Sequence, residues 1–258
     1  MGTIIAVAGK GGTGKTTIAA LVIRYLKETG KVPILAVDAD PDANLPEALG
    51  IIAPTTISTV GDTCQEFMDS KEHLPPGMPK EAYFELKLHQ ALVETTDLDL
   101  LVMGRPEGAG CYCYINNVLR KYLDVLPDSY PFVVIDNEAG LEHLSRRTTR
   151  KADYLVIVSD YSLNGLRAAV RIRQLAADLH LEIAHLGLVV NKVPGTISDA
   201  FAAEIEKTGV PLYGCVPYDE LLREQDTTGT SVLGLPGHAA SLVAVRNIAD
   251  EVLGICRR

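Results

Sequence analysis

Seven short apolar runs punctuate the chain, over 4–8, 33–37, 98–103, 132–135, 154–158, 186–190 and 212–216. Each is four to six residues long, rich in Val and Ile, and bounded by Gly, Asp or Pro, the pattern of strands buried on both faces. Between them, apolar residues recur at three- and four-residue spacing over 16–29, 62–70, 115–126, 164–179 and 198–208, which predicts amphipathic helices. A last helix is expected over 238–256, with Leu242, Val245, Ala249, Val252 and Cys256 on one packing face. Strand alternating with helix implies the α/β class: a mostly parallel central sheet flanked by helices, joined by right-handed crossovers. Pro75, Pro76, Gly77 and Pro79 crowd the segment 74–82, which reads as a surface excursion. No repeat, low-complexity tract or linker divides the sequence, so residues 1–258 are expected to form one domain.

Composition narrows the partners. Of the 258 residues, 47% are hydrophobic and 22% charged, enough for a full core and unlike a disordered chain. A net charge of −9 argues against non-specific nucleic-acid binding and against an anionic membrane surface, so neither is expected as a partner. No apolar run reaches the roughly 18 residues of a membrane span, and residues 2–8 read as a first strand rather than a signal peptide. The five cysteines are odd in number and lack the spacing of a disulfide framework, which implies a reducing, cytoplasmic compartment.

The first strand runs into Gly9-Lys10-Gly11-Gly12-Thr13-Gly14-Lys15-Thr16, and a helix follows. This is G-x-x-x-x-G-K-[ST] in its required strand–loop–helix setting. Glycines let backbone N–H groups close on phosphate oxygens, and the helix adds its positive end. Lys15 is expected to reach the β- and γ-phosphates, and the Thr16 hydroxyl to ligate Mg²⁺. The fourth strand ends in Asp136-Asn137-Glu138-Ala139-Gly140, an apolar run closed by an aspartate that would hold Mg²⁺ through water; a plain strand-end cap is the alternative. The sixth strand runs into Asn191-Lys192-Val193-Pro194. A guanine site would need a carboxylate at position 194 to accept from the base; proline there favours ATP.

Lys10, five residues before Lys15, makes Lys10-Gly11-Gly12-Thr13-Gly14-Lys15-Thr16-Thr17 resemble the deviant Walker A ATPases, a family that includes MinD, ParA and the nitrogenase iron protein. The resemblance implies a nucleotide-controlled homodimer in which Lys10 crosses to the partner's nucleotide and stabilises transition-state charge, as an arginine finger does. It also implies that Asp38-Ala39-Asp40-Pro41-Asp42 is a first switch, with Asp38 supporting the Mg²⁺ region and Asp40 positioning the attacking water. Asp136 and Gly140 would belong to the second switch; Glu138 stands where many relatives have proline. Asn191, Lys192, Pro217 and Asp219 would line the base pocket, although Asn191 also suits a strand-end turn.

The ATPase motifs leave the task open, and the loop Gly104-Arg105-Pro106-Glu107-Gly108-Ala109-Gly110-Cys111-Tyr112-Cys113 is where it is expected to lie. Two thiolates ahead of a helix are too few for a closed metal site, but Cys111 and Cys113 from each of two chains supply four, suited to Zn²⁺ or Ni²⁺. Two buried apolar side chains or a redox pair would give the same Cys-x-Cys spacing. The loop is similar to that of the nitrogenase iron protein, but no cysteine follows Gly140 as a second cluster ligand. With its Cys-x-Cys loop, the chain resembles the CooC group of accessory ATPases for nickel insertion into carbon monoxide dehydrogenase. That resemblance implies ATP/ADP, Mg²⁺ and Ni²⁺ or Zn²⁺ as ligands, and an apo-nickel enzyme such as carbon monoxide dehydrogenase as partner. A MinD- or ParA-type positioning ATPase and an electron-transfer ATPase with a shared iron–sulfur cluster remain as alternatives. Cys64, Cys215 and Cys256 sit in apolar periodic segments and are expected to be small core residues.

Overall fold

A strand that alternates aliphatic side chains to both faces must be covered twice, and this chain supplies two layers of helix. The structure, a computed structural model, describes residues 2–51, 58–69, 77–104, 125–139 and 151–254. Its strands are β1 (Thr3–Gly9), β2 (Ile34–Asp38), β3 (Leu98–Val102), β4 (Phe132–Asp136), β5 (Lys151–Asp160), β6 (Glu182–Val193) and β7 (Leu212–Pro217). They form one parallel sheet in the order β3-β2-β4-β1-β5-β6-β7. The expected α/β class with a parallel central sheet is what the structure shows. β5 and β6 are longer than their apolar runs, because polar residues extend them at the start, with Lys151 opposite Glu182.

The described helices are α1 (Lys15–Glu28), α2 (Leu45–Ala48), α3 (Val60–Asp69), α4 (Lys80–Gln90), α5 (Leu163–Asp178), α6 (Asp199–Lys207), α7 (Glu220–Thr228) and α8 (Ala240–Leu253). β1 shows how the period of two sorts the core. Ile4, Ala6 and Ala8 enter one layer, with Leu166, Ala169 and Ile172 of α5 and Phe84 and Leu88 of α4. Ile5 and Val7 enter the other, with α1 and with Leu242, Val245 and Ala249 of α8. Ser162, Ser198 and Asp219 cap α5, α6 and α7, accepting from Gly165 N, Phe201 N and Leu221 N.

Two expectations need correction. Residues 80–82, expected in a surface excursion, begin α4, whose Phe84 and Leu88 are buried one turn apart. α7 was not expected at all; it has no buried residue, so hydrophobic spacing carries no trace of it. The helix expected over 115–126 and the prolines at 75 and 76 lie outside the described residues. Cys64 is buried and Cys215 half-buried, neither in a disulfide, while Cys256 lies outside the described residues.

α8 is locked to α1 by charge as well as by packing. Arg246 donates to Glu28 from Nη2 (2.6 Å), Arg24 donates to Glu28 from Nε (2.9 Å), and the Tyr25 hydroxyl bonds Asp250. Burial works against an ionised Glu28, but Arg246 and Arg24 outweigh it and hold the carboxyl below its usual range.

The parallel order brings the carboxyl ends of the strands to one edge of the sheet, where open α/β sheets bind ligands. Hydrogen bonds stitch this edge just beyond the strands: Met103 N to Asp38 O (2.8 Å), Ala39 N to Asp136 O (2.9 Å) and Asn137 N to Val7 O (3.0 Å). The exit of β3 is anchored by α3. Gly61 N donates to Met103 O (2.9 Å), and Gly104, at φ 63°, packs so close that a Cβ would lie 2.4 Å from Thr59 Oγ1. Gly104→Ala is therefore expected to cost about 1–3 kcal/mol, from strain and the displaced Thr59, read as a lower urea midpoint.

Candidate active site

The loop between β1 and α1 is shaped by what surrounds it. A Cβ on Gly9 would lie 2.3 Å from Val158 O of the neighbouring strand β5, so the chain can leave the sheet there only as glycine. Gly14, at φ 88°, makes the left-handed step into α1, and a Cβ on it would lie 2.4 Å from Asn191 Nδ2. Inside the loop, the Thr13 hydroxyl donates to Lys10 O (2.8 Å), and Lys15 Nζ lies 3.5 Å from the same carbonyl. Thr13 and Lys15 are buried; Lys10, Gly11 and Gly12 are exposed. Thr16 and Thr17 follow on the first turn of α1.

A second element holds the loop from outside. Asn191, at the end of β6, is buried and donates from Nδ2 to Thr13 O (2.9 Å). Its Oδ1 accepts from Lys192 N (2.9 Å), and Lys192 Nζ donates to Gly12 O (2.9 Å). Both residues are expected at the base; in the structure they also brace the phosphate loop, leaving Asn191 one further N–H to donate. Pro217 and Asp219 flank Tyr218, whose N–H bonds Val193 O (2.8 Å) and whose ring is exposed beside the end of β6. The Asp219 carboxylate is already engaged: Oδ2 accepts from Ser241 N (2.8 Å) and Oγ (2.7 Å), and Oδ1 from Leu221 N (3.0 Å). Burial works against its charge, but these donors outweigh it and keep its carboxyl below the usual range. It ties α7 to α8 at the rim of the site.

The two central strand ends bring carboxylates side by side, Asp38 of β2 directly opposite Asp136 of β4. Both are buried. Asp38 binds the loop that follows it, with Oδ1 accepting from Asp40 N (3.0 Å) and Oδ2 from Leu45 N (2.9 Å). Burial lifts its carboxyl to about 7, against those two N–H groups, and the charges of Asp136 and Asp40 push the same way as burial. Asp40 is half-exposed; its Oδ1 accepts from Asp42 N (3.0 Å) and its carbonyl from Ala43 N (3.1 Å).

Asp136 differs in kind, for neither of its oxygens has a hydrogen-bond partner. Burial raises it to about 6, opposed by the nearby Thr16 hydroxyl and the Lys15 charge. The Thr16 hydroxyl lies near enough to lower the carboxyl, although its contact falls outside hydrogen-bond geometry. An orphaned, buried carboxylate beside a threonine hydroxyl and a lysine fits a hard cation that takes oxygen ligands. Thr16 and Asp136 are the residues that would hold Mg²⁺, which when bound offsets phosphate charge. Asn137, to which the sequence reading gave no role, is also buried; Nδ2 donates to Val7 O (2.9 Å), while Oδ1 has no partner. Its position directly after the strand-end aspartate was the available signal. Glu138 is exposed. Gly140, Cys111 and Cys113 lie outside the described residues, and among the described residues no group of three or more His, Cys, Asp or Glu is placed to hold a metal. No described helix is long and apolar enough to cross a membrane.

Two predictions follow from this geometry. Asn191→Ala releases the loop at Thr13 O and is expected to weaken nucleotide binding by roughly tenfold, about 1–1.5 kcal/mol, in a titration with labelled ADP. The raised carboxyl of Asp136 makes the folded state hold its proton more tightly than the unfolded chain, whose ordinary value is 3.8. Stability from this group therefore falls as pH rises from about 4 to about 6, and the penalty stands in full above that. Asp136→Asn is expected to be more stable than wild type at pH 8 without nucleotide, by at most about 3 kcal/mol, with the gap closing towards pH 4. Urea titrations across that range check it.

Comparison with known proteins agrees with this arrangement. The family model described as the CobQ/CobB/MinD/ParA nucleotide binding domain matches residues 4–232. An uncharacterized ATP-binding protein of Methanocaldococcus jannaschii is 43% identical over 251 residues, covering 97% of this chain and 98% of the relative. The carbon monoxide dehydrogenase accessory protein CooC of Rhodospirillum rubrum is 32% identical over 240 residues, covering 90% of this chain and 89% of its own. Among solved structures, the cell division ATPase MinD of Pyrococcus furiosus superposes with a TM-score of 0.71 at 24% identity, over 99% of this chain and 100% of that one. Phosphate loop, buried strand-end aspartates and full-length likeness agree: the chain belongs to the CobQ/CobB/MinD/ParA family of P-loop nucleotide-binding proteins.

Proposed function

We propose that this protein is an ATP-hydrolysing accessory factor for a metalloenzyme, acting in nickel insertion into carbon monoxide dehydrogenase or a related nickel enzyme. The observation that carries this reading is the Cys111-Tyr112-Cys113 sequence in a chain 32% identical, over nine-tenths of its length, to a carbon monoxide dehydrogenase accessory protein. Nickel or zinc is cargo here; ATP and Mg²⁺ are the ligands of the hydrolytic site.

In this reading the loop from Gly9 to Thr16 wraps the phosphates, Lys15 neutralises the outer ones, and Asp40 orients the attacking water. Lys10 works on the nucleotide of a second copy. Its exposure beside a buried Lys15 is compatible with that role, because it leaves the ammonium within reach of a second copy. Asp38 links the nucleotide to the rest of the molecule. Its carboxylate grips Asp40 and Leu45, and its carbonyl accepts from Met103 at the base of the segment carrying Cys111 and Cys113. Nucleotide-driven movement of the first switch would then reach the cysteine segment through one shared residue.

Metal content per chain tests the proposal. The protein is loaded with Ni²⁺ or Zn²⁺ and separated by size, with ADP and without nucleotide, beside Cys111→Ser/Cys113→Ser. The expected result is one metal per two chains, with metal and dimer lost together in the double variant. Equal metal in wild type and variant, or none in either, overturns the shared thiolate site and favours a positioning ATPase.

A further inference from the structure

At the opposite edge of the sheet from the phosphate loop, the starts of β5, β6 and β7 and the last turn of α8 line an open pocket of about 240 Å³, with Glu251 exposed at its mouth. Its lining is Tyr154, His185, Leu212, Tyr213, Glu251 and Val252. Tyr154 and His185 are paired across β5 and β6, and their rings stack at 4.9 Å with 22° between planes, forming one flat wall. The second tyrosine is put there by an irregularity of the backbone. Leu212 pairs with Leu188 and Gly214 with Val189, so Tyr213 is the extra residue of a β-bulge. Bulges re-aim side chains, and this one lays the Tyr213 ring over Gly187, where a Cβ would lie 2.3 Å from the ring. The glycine is what allows the ring to lie against the sheet.

Two phenols, an imidazole and a carboxylate thus face one cavity. Among the described residues, no side-chain hydrogen bond or ion pair engages any of the four. The lining carries no Lys or Arg. Aromatic faces attract a cation, and Glu251 adds a formal negative charge at the same place. Behind Tyr213 and Val252 lies a second, wholly apolar void of about 30 Å³, lined by Ile18 and Val22 of α1 and Val245 of α8 among others, with room for one or two methylene groups.

We propose that this cavity binds a small organic cation, an ammonium or guanidinium group on a short aliphatic stem. The charged head lies between the Tyr154–His185 wall, Tyr213 and Glu251, and the stem lies against Leu212 and Val252 towards the apolar void. The site is separate from the nucleotide edge and does not depend on the metal-insertion reading.

Calorimetric titration of the full chain at pH 8 tests this with agmatine and n-butylammonium as probes. Their neutral and anionic isosteres, n-butanol and butyrate, are the controls. Saturable binding of a cationic probe, at least tenfold tighter than either control, is expected. Glu251→Gln, an exposed change on α8, should weaken it roughly tenfold, and Tyr154→Leu should do likewise, with nucleotide binding unchanged as the check on folding. Stronger binding of agmatine than of Nα-acetyl-argininamide assigns a free small molecule, and the reverse assigns an arginine side chain. No saturable binding of either cation, equal binding of n-butanol, or binding undiminished by Glu251→Gln overturns the proposal.

Discussion

Two carboxylates buried side by side at the ends of the central strands are the constraint on which the site depends. Asp38 and Asp136 face each other in register between β2 and β4, shielded from water. Burial penalises both charges; the charge of Asp136 adds to the penalty on Asp38, and the charge of Asp40 adds to both. The protein answers the two differently. Asp38 is given two backbone N–H groups, so its charge is used to fold the loop after β2. Asp136 is given none, so its charge awaits a cation from outside, with Thr16 and Lys15 already turned to the same place. One buried pair thereby yields a structural tie and a ligand site.

The phosphate loop is held in a complementary way. Its glycines solve crowding as much as they offer N–H groups: Gly9 passes under Val158 O and Gly14 turns against Asn191. β6 then reaches over with Asn191 and Lys192 and fixes the carbonyls of Thr13 and Gly12. A loop with the carbonyls of Thr13 and Gly12 pinned outward is held in shape for phosphate by a strand far away in sequence, which is preorganisation. The sheet edge, the brace and the buried aspartates together explain why the strand order matters: β4 and β1 must be neighbours for Asp136 to stand beside the loop.

Much of this was legible in the sequence, and the rest failed for identifiable reasons. All seven strands announced themselves as aliphatic runs, because a sheet covered on both faces leaves no polar alternation to confuse the reading. α7 was invisible to hydrophobic spacing because it buries nothing; Asp219 before it and Gly229 after it were its only local marks. α4 was masked by the prolines ahead of it, although Pro79 is its N-cap and Phe84 and Leu88 share its buried face. At the site, motif spacing placed Lys15, Thr16 and Asp136 together. It did not reveal that Asn191, Lys192 and Asp219 have structural work, since such bonds join residues up to 180 positions apart. The bulge that seats Tyr213 was equally hidden, being a matter of register between β6 and β7.

We propose that the nucleotide site is completed for hydrolysis by a second copy of the chain. Mixing the variants Lys10→Ala and Lys15→Ala, each expected to be inactive alone, is the direct test. In a mixed dimer, one site has its own Lys15 and receives Lys10 from the other subunit. ATP hydrolysis rising well above that of either variant alone is the predicted result. Mixtures no more active than the separate variants, under conditions where the dimer forms, would contradict it.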